Sequence, residues 1–177
     1  MVSYSNGDGG KFRRKITMKS IKKRIAKLRI VSRMIEYDEH DDPQSAEPAG
    51  EEITEESSTL TTDCTIADKG GRIEIEYKES EITGMDGAVT KLFFDRSEPT
   101  LVSLLREGSV STAFVFEEGR RHLCVYNTPY FPIELCVDTQ ELVNKLTFDG
   151  GSLHAVYLVE MNGVLAERAE VDISIIG

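Results

Sequence analysis

The stretch Arg72-Ile73-Glu74-Ile75-Glu76-Tyr77-Lys78 decides the fold. Ile73, Ile75 and Tyr77 recur at every second position with charges between them, the period of a strand that turns one face to a core and the other to water. Gly70-Gly71 ahead of it marks a turn. The same alternation, punctuated by turn residues, continues on both sides. Residues 59–66 read as a polar, Thr-rich strand, followed beyond Lys78 by 89–94, 100–106, 110–116, 121–126, 133–139 and 143–148, each introduced by Gly or Pro or by a short polar break. Residues 153–161 and 165–175 flank Asn162-Gly163, the strongest hairpin signal in the chain. Upstream, Ile21, Ile25, Leu28 and Ile35 fall near helical spacing, but Ile30, Val31 and Ile35 are β-branched and favour a strand over 28–37. Beyond Tyr37 the only helical option is a turn or two over 139–145. About ten strands in succession usually close on themselves, because closure removes edges that aggregate. An all-β fold follows: an antiparallel up-and-down closed barrel.

The chain has 177 residues, 40% hydrophobic and 29% charged, which suits one globular domain. No run approaches the ~20 apolar residues that span a bilayer, and no secretory apolar segment opens the chain, so a cytoplasmic protein without a membrane partner is expected. Cys64, Cys124 and Cys136 are odd in number and form no Cys-x-x-Cys, so they predict neither disulfides nor a zinc ribbon. The net charge of −10 makes nucleic acid an improbable partner of the whole molecule, but the charge is uneven. Eleven of the 21 Lys+Arg lie between Lys11 and Arg33, and ten of the 31 Asp+Glu between Glu36 and Glu56. The division expected is a disordered basic leader over 1–20 and a barrel domain over 21–177, with a flexible acidic loop at 38–56. Arg13-Arg14 is encodable as a ribosome-binding sequence just ahead of Met18, which predicts Met18 as the natural start.

From Ile73 to Ile175 the chain resembles the bacterial family catalogued as domain of unknown function 1934, the YwiB-like proteins. The resemblance rests on Tyr77-Lys78-Glu79, Gly84, Gly87-Ala88-Val89-Thr90, Arg106-Glu107-Gly108, Phe114 to Phe116 before Gly119, Tyr126-Asn127-Thr128, Gly150-Gly151 and Tyr157. It implies a calycin fold, a closed barrel related in shape to lipocalins, and no established activity. Tyr130-Phe131-Pro132 stands where the family commonly has glycine, so a different rim is expected there; the 38–56 loop is long and acidic for the family.

Extending the alternation puts Glu79 in the row of Ile73, Ile75 and Tyr77, and Arg106 in the row of Val102 and Leu104. The pair is expected inside the barrel at one end, with Thr90 and Tyr126 as hydrogen-bond partners. Two readings stand. In one, Tyr77, Glu79, Thr90, Arg106 and Tyr126 form the polar floor of a ligand cavity, where Arg106 grips an anionic group. In the other, the more usual arrangement, the pair closes the barrel and satisfies itself. His122, Cys124 and Cys136 would make a metal site without a fourth ligand, so no metal is implied. No Gly-x-Ser-x-Gly elbow is present, and Gly7, Gly9 and Gly10 match no phosphate loop, so neither a catalytic nucleophile nor a cofactor is implied. Glu74, Glu76, Glu117 and Glu118 read as solvated acids. Phe93-Phe94 and Ala113-Phe114-Val115-Phe116 are apolar on both faces, which predicts a covering partner, most simply a homodimer. Three function classes compete: a non-enzymatic barrel holding a small amphipathic ligand; a protein- or RNA-interaction module using the basic N-terminal segment; and, least supported, an enzyme with Glu79 as acid or base.

Overall fold

The computed structural model describes residues 20–37 and 52–176. The expected leader, except Ser20, and the 38–51 part of the expected loop lie outside the described residues, as does Met18. Ten strands follow in order: β1 Lys22–Tyr37, β2 Glu52–Asp68, β3 Arg72–Lys78, β4 Val89–Asp95, β5 Glu98–Glu107, β6 Thr112–Glu117, β7 Arg121–Asn127, β8 Pro132–Asn144, β9 Gly151–Met161 and β10 Val164–Ile176. The only helical element among the described residues is a 3-10 turn at Glu81–Thr83. No helix among the described residues is long and apolar enough to cross a membrane.

All ten strands form one antiparallel sheet in the order β6-β5-β4-β3-β2-β1-β10-β9-β8-β7. Neighbours in sequence are neighbours in space and β1 joins β10, the up-and-down arrangement. The sheet ends, β6 and β7, meet at one bridge, where the Ser111 and Asn127 amides donate to each other's carbonyls at 3.1 and 2.8 Å. At the opposite end of this seam β8 bends at a bulge between Thr139 and Glu141. The Leu142 amide there donates to Glu118 and the Asn144 side-chain amide donates to the Pro99 carbonyl. The barrel is therefore nearly closed, a calycin-like shape that needs both the up-and-down strand order and these seam contacts.

Three boundaries differ from expectation. β2 starts at Glu52, so residues 52–56 of the supposed loop belong to a strand paired with β1. β1 likewise begins at Lys22 rather than at residue 28. Alternation fails to mark the β2 extension because its inward row turns from Leu60 to Ser58, where the interior is open rather than packed, and the β1 extension because residues 22–27 are mostly Lys and Arg, with Ala26 the buried position. Residues 139–144 continue β8 and form no helix, and 145–150 is a loop rather than the end of a strand.

That loop plugs one end of the barrel. Leu146 is buried from it, beside Ile66, Ile73, Phe94 and Leu142, and the Arg24 Nε donates to the Phe148 carbonyl at 2.6 Å. The loop must approach β9 closely. A Cβ on Gly151, whose φ is +112°, would lie 2.1 Å from the Lys145 carbonyl oxygen. Outside the barrel, Arg72 stacks over Phe93 at 4.1 Å, so the chain itself covers one of the outward aromatics that suggested a second copy. The most exposed apolar side chains lie elsewhere, at Leu123 on β7 and Tyr130 in the β7–β8 turn.

Candidate functional site

Strand register stacks the interior in rungs. Ile73 pairs with Phe94, and Val102 with Phe116; above them Ile75, Leu92, Leu104 and Phe114 form the next rung, and Tyr77, Thr90, Arg106 and Thr112 the one beyond. The lower rungs are apolar. The last is polar, and it adjoins the end formed by the 3-10 turn, the 108–111 turn and the β9–β10 hairpin. Above the plugged end the barrel encloses a cavity of about 750 Å³ that opens at this end. It is lined below by Leu92, Leu104, Phe114, Phe116, Ala155 and Ile173. Volumes of ~300–1,000 Å³ are those of small-molecule sites.

Glu79 enters the barrel because the β3–β4 ladder runs one residue past Lys78. Its amide donates to the Ala88 carbonyl at 2.9 Å, so the inward parity of Ile73, Ile75 and Tyr77 is kept. Ser80 then starts the 3-10 turn, which ends at Gly84 with φ +69°. The Glu79 side chain is 2% exposed and that of Arg106 12%. Arg106 Nη2 lies 3.2 Å from Glu79 Oε1, and its Nε donates to Thr90 Oγ1 at 3.1 Å. Thr90 in turn donates to Glu79 Oε1 at 2.5 Å. The three side chains form a closed ring of hydrogen bonds. Burial, with the Glu79 carboxylate beside it, raises the Tyr77 hydroxyl well above the usual tyrosine range, while Arg106 acts in the opposite direction.

Of the five residues singled out in sequence, Tyr77, Glu79, Thr90 and Arg106 meet in one cluster. Tyr126 lines the same cavity but makes no hydrogen bond with the cluster among the described residues. Their level differs from expectation: the cluster forms a wall near the open end, and the floor is apolar. The reason is the length of β1 and β2, which carry the barrel wall past the end of β3. Sequence reasoning missed three further lining residues. Tyr157 packs its ring 5.0 Å from that of Phe116, Glu167 sits on β10, and Phe114 lies at 6.2 Å from Phe116. Glu167 was detectable by the rule that found Glu79, since Ile173, Val171, Ala169 and Glu167 share a parity.

The metal constellation does not assemble. β7 and β8 pair Leu123 with Cys136 and Cys124 with Leu135, one residue from the symmetric register, so the two cysteines face opposite sides of the wall. Cys124 lies inward, where burial raises its thiol pKa; Cys136 lies outside against Arg121. His122 instead contacts Glu117 at 3.2 Å. Several bases of β1 are engaged too: Lys27 pairs with Asp63 and Arg33 with Glu170.

The family model for a domain of unknown function, DUF1934, matches residues 44–173. The chain belongs to the DUF1934 family. The crystal structure of YwiB from Bacillus subtilis superposes with a TM-score of 0.59 at 13% identity, covering 86% of this chain and 94% of that one. At that identity the likeness is one of fold. No curated protein matches the sequence. Within this DUF1934 barrel, the cavity and its polar wall are the features with the geometry of a site.

Proposed function

We propose that this DUF1934 barrel is a non-enzymatic binding protein that holds one small amphipathic molecule inside the barrel. The observation that carries the reading is the cavity of about 750 Å³, apolar at its floor and polar near its opening. An apolar body buried against Leu104, Phe114 and Phe116 gains about 25 cal/mol per Å² removed from water. The Glu79–Thr90–Arg106 ring and the tyrosine hydroxyls meet the polar end without leaving it unsolvated. Against acid–base chemistry, Glu79 already accepts from Thr90 and Arg106 on one oxygen, a fixed arrangement suited to holding shape.

The test is binding of a neutral apolar dye, Nile red, followed by fluorescence. The full chain is expected to bind one dye per barrel, and Ala155→Leu, which pushes a larger side chain into the floor, is expected to weaken binding about tenfold or more. Absence of binding, or equal binding by the variant, refutes the reading.

A further inference from the structure

The charges on the cavity wall are unbalanced. Glu56, Glu79, Glu81 and Glu167 line it, and Arg106 is the one base that does so among the described residues. Arg106 is already committed to Glu79. Across the β1–β10 ladder Glu167 stands directly opposite Glu36, a like-charge pair that costs stability when nothing intervenes. Glu167 makes no ion pair with any described residue, and desolvation together with Glu36 raises its carboxyl pKa.

Tyr157 adds a second observation. Tyr157 lines the cavity half-buried, burial raises its hydroxyl pKa, and the hydroxyl makes no hydrogen bond to a described residue. It lies within the fields of Glu167 and, in the opposite direction, Arg106, and its ring packs on Phe116, which in turn meets Phe114. The Tyr157 ring near an unpaired carboxylate is a surrounding that attracts an organic ammonium ion, and Phe116 and Phe114 extend it as apolar surface toward the floor. An anion entering past Glu56, Glu81 and Glu167 would meet like charge and find Arg106 occupied.

We propose that the ligand of this cavity is an amphipathic organic cation, its ammonium group held by Glu167 near the mouth and its apolar body lying against Phe114, Phe116 and Tyr157. This rests on the binding reading above and fixes the sign of the ligand. The sequence alone favoured the opposite sign, because Arg106 was legible and the open position of Glu167 was not.

Three probes with one tail separate the possibilities: decylammonium, decanoate and decanol, each titrated calorimetrically into the full chain below its micellar concentration. Decylammonium is expected to bind about tenfold or more tightly than decanoate, the discrimination that one partly desolvated charge contact supplies. Glu167→Gln is expected to reduce decylammonium affinity about tenfold and to leave decanol unchanged, which also reports that the variant is folded. Decanoate or decanol binding as tightly as decylammonium, or an unaltered decylammonium affinity in Glu167→Gln, overturns the inference and leaves the binding reading standing. Failure of all three probes to bind overturns both.

Discussion

Removing Arg106 and removing Glu79 should have unequal costs, and the asymmetry follows from burial. In Arg106→Met the Glu79 carboxylate, 2% exposed, keeps its bond from Thr90 but loses its only countercharge. Breaking a buried pair by deleting one partner costs about 3–5 kcal/mol, because an uncompensated charge stays behind. Arg106 borders the cavity, so water reaches the space it vacates and the lower figure applies, about 3 kcal/mol. In a domain of this size that shifts the melting temperature by roughly 6–12 °C. In Glu79→Gln the guanidinium keeps Thr90 as a partner and faces the cavity, where water can solvate it; the loss is one charge-assisted bond, about 1.5–2 kcal/mol. Replacing both residues by methionine removes both desolvation costs and should lie within about 1 kcal/mol of the parent. Urea unfolding of these four proteins and of Glu79→Met, with the slope held common, closes the cycle. The reasoning is refuted if Arg106→Met costs less than Glu79→Gln, or if the double variant is as unstable as the sum of the singles.

Two glycines should separate sterics from backbone conformation. Gly151→Ala would bring its Cβ to 2.1 Å from a backbone oxygen and should cost more than about 2 kcal/mol, whereas Gly163→Ala, with φ +82° and nothing within 4 Å, should cost about 1 kcal/mol; thermal melts compare them. Leu92→Ala, at 2% exposure, should lose about 3 kcal/mol in denaturant unfolding, and Leu104→Ala, partly open to the cavity on the same rung, clearly less. Glu167→Gln should stabilise the protein at neutral pH by up to about 1 kcal/mol, by relieving its repulsion with Glu36. The folded state holds the Glu167 proton above the ordinary carboxylate range, so stability falls as pH rises through that interval. The gain of the variant should therefore shrink as pH is lowered through that interval and be lost below about 4, where the carboxyl is protonated in both states, read as the difference between the two stability curves; a gain independent of pH would contradict it.

Much of this barrel was legible because the interior row of each strand follows a period of two. Parity alone placed Glu79 and Arg106 inside, and the Asn162-Gly163 turn fixed the last hairpin. Parity carries no information about depth. The cluster was expected as a floor and stands as a wall, because β1 and β2 set the height of the barrel and the upper part of β2, residues 52–58, has no apolar alternation to announce it. Register was the second gap. The β7–β8 turn is one residue away from symmetric about Tyr130, and that single step separates Cys136 from Cys124 by the thickness of the sheet. Whether the interior is filled depends on how side chains meet across the barrel, which no local pattern records.

The position of the ion pair and the existence of the cavity have one physical cause. Had the apolar rungs continued upward, Glu79 and Arg106 would sit in a packed core, where desolvation of both charges would cost more than their attraction returns. Above them the inward rows change to Ser32, Ser58 and Glu56, side chains too small or too polar to fill the space, so the interior stays accessible. The pair stands at this boundary, with one face sealed by Tyr77 and Thr90 and the other open. The open face lowers the desolvation cost of the pair, and the same face brings Arg106 to the wall of the cavity.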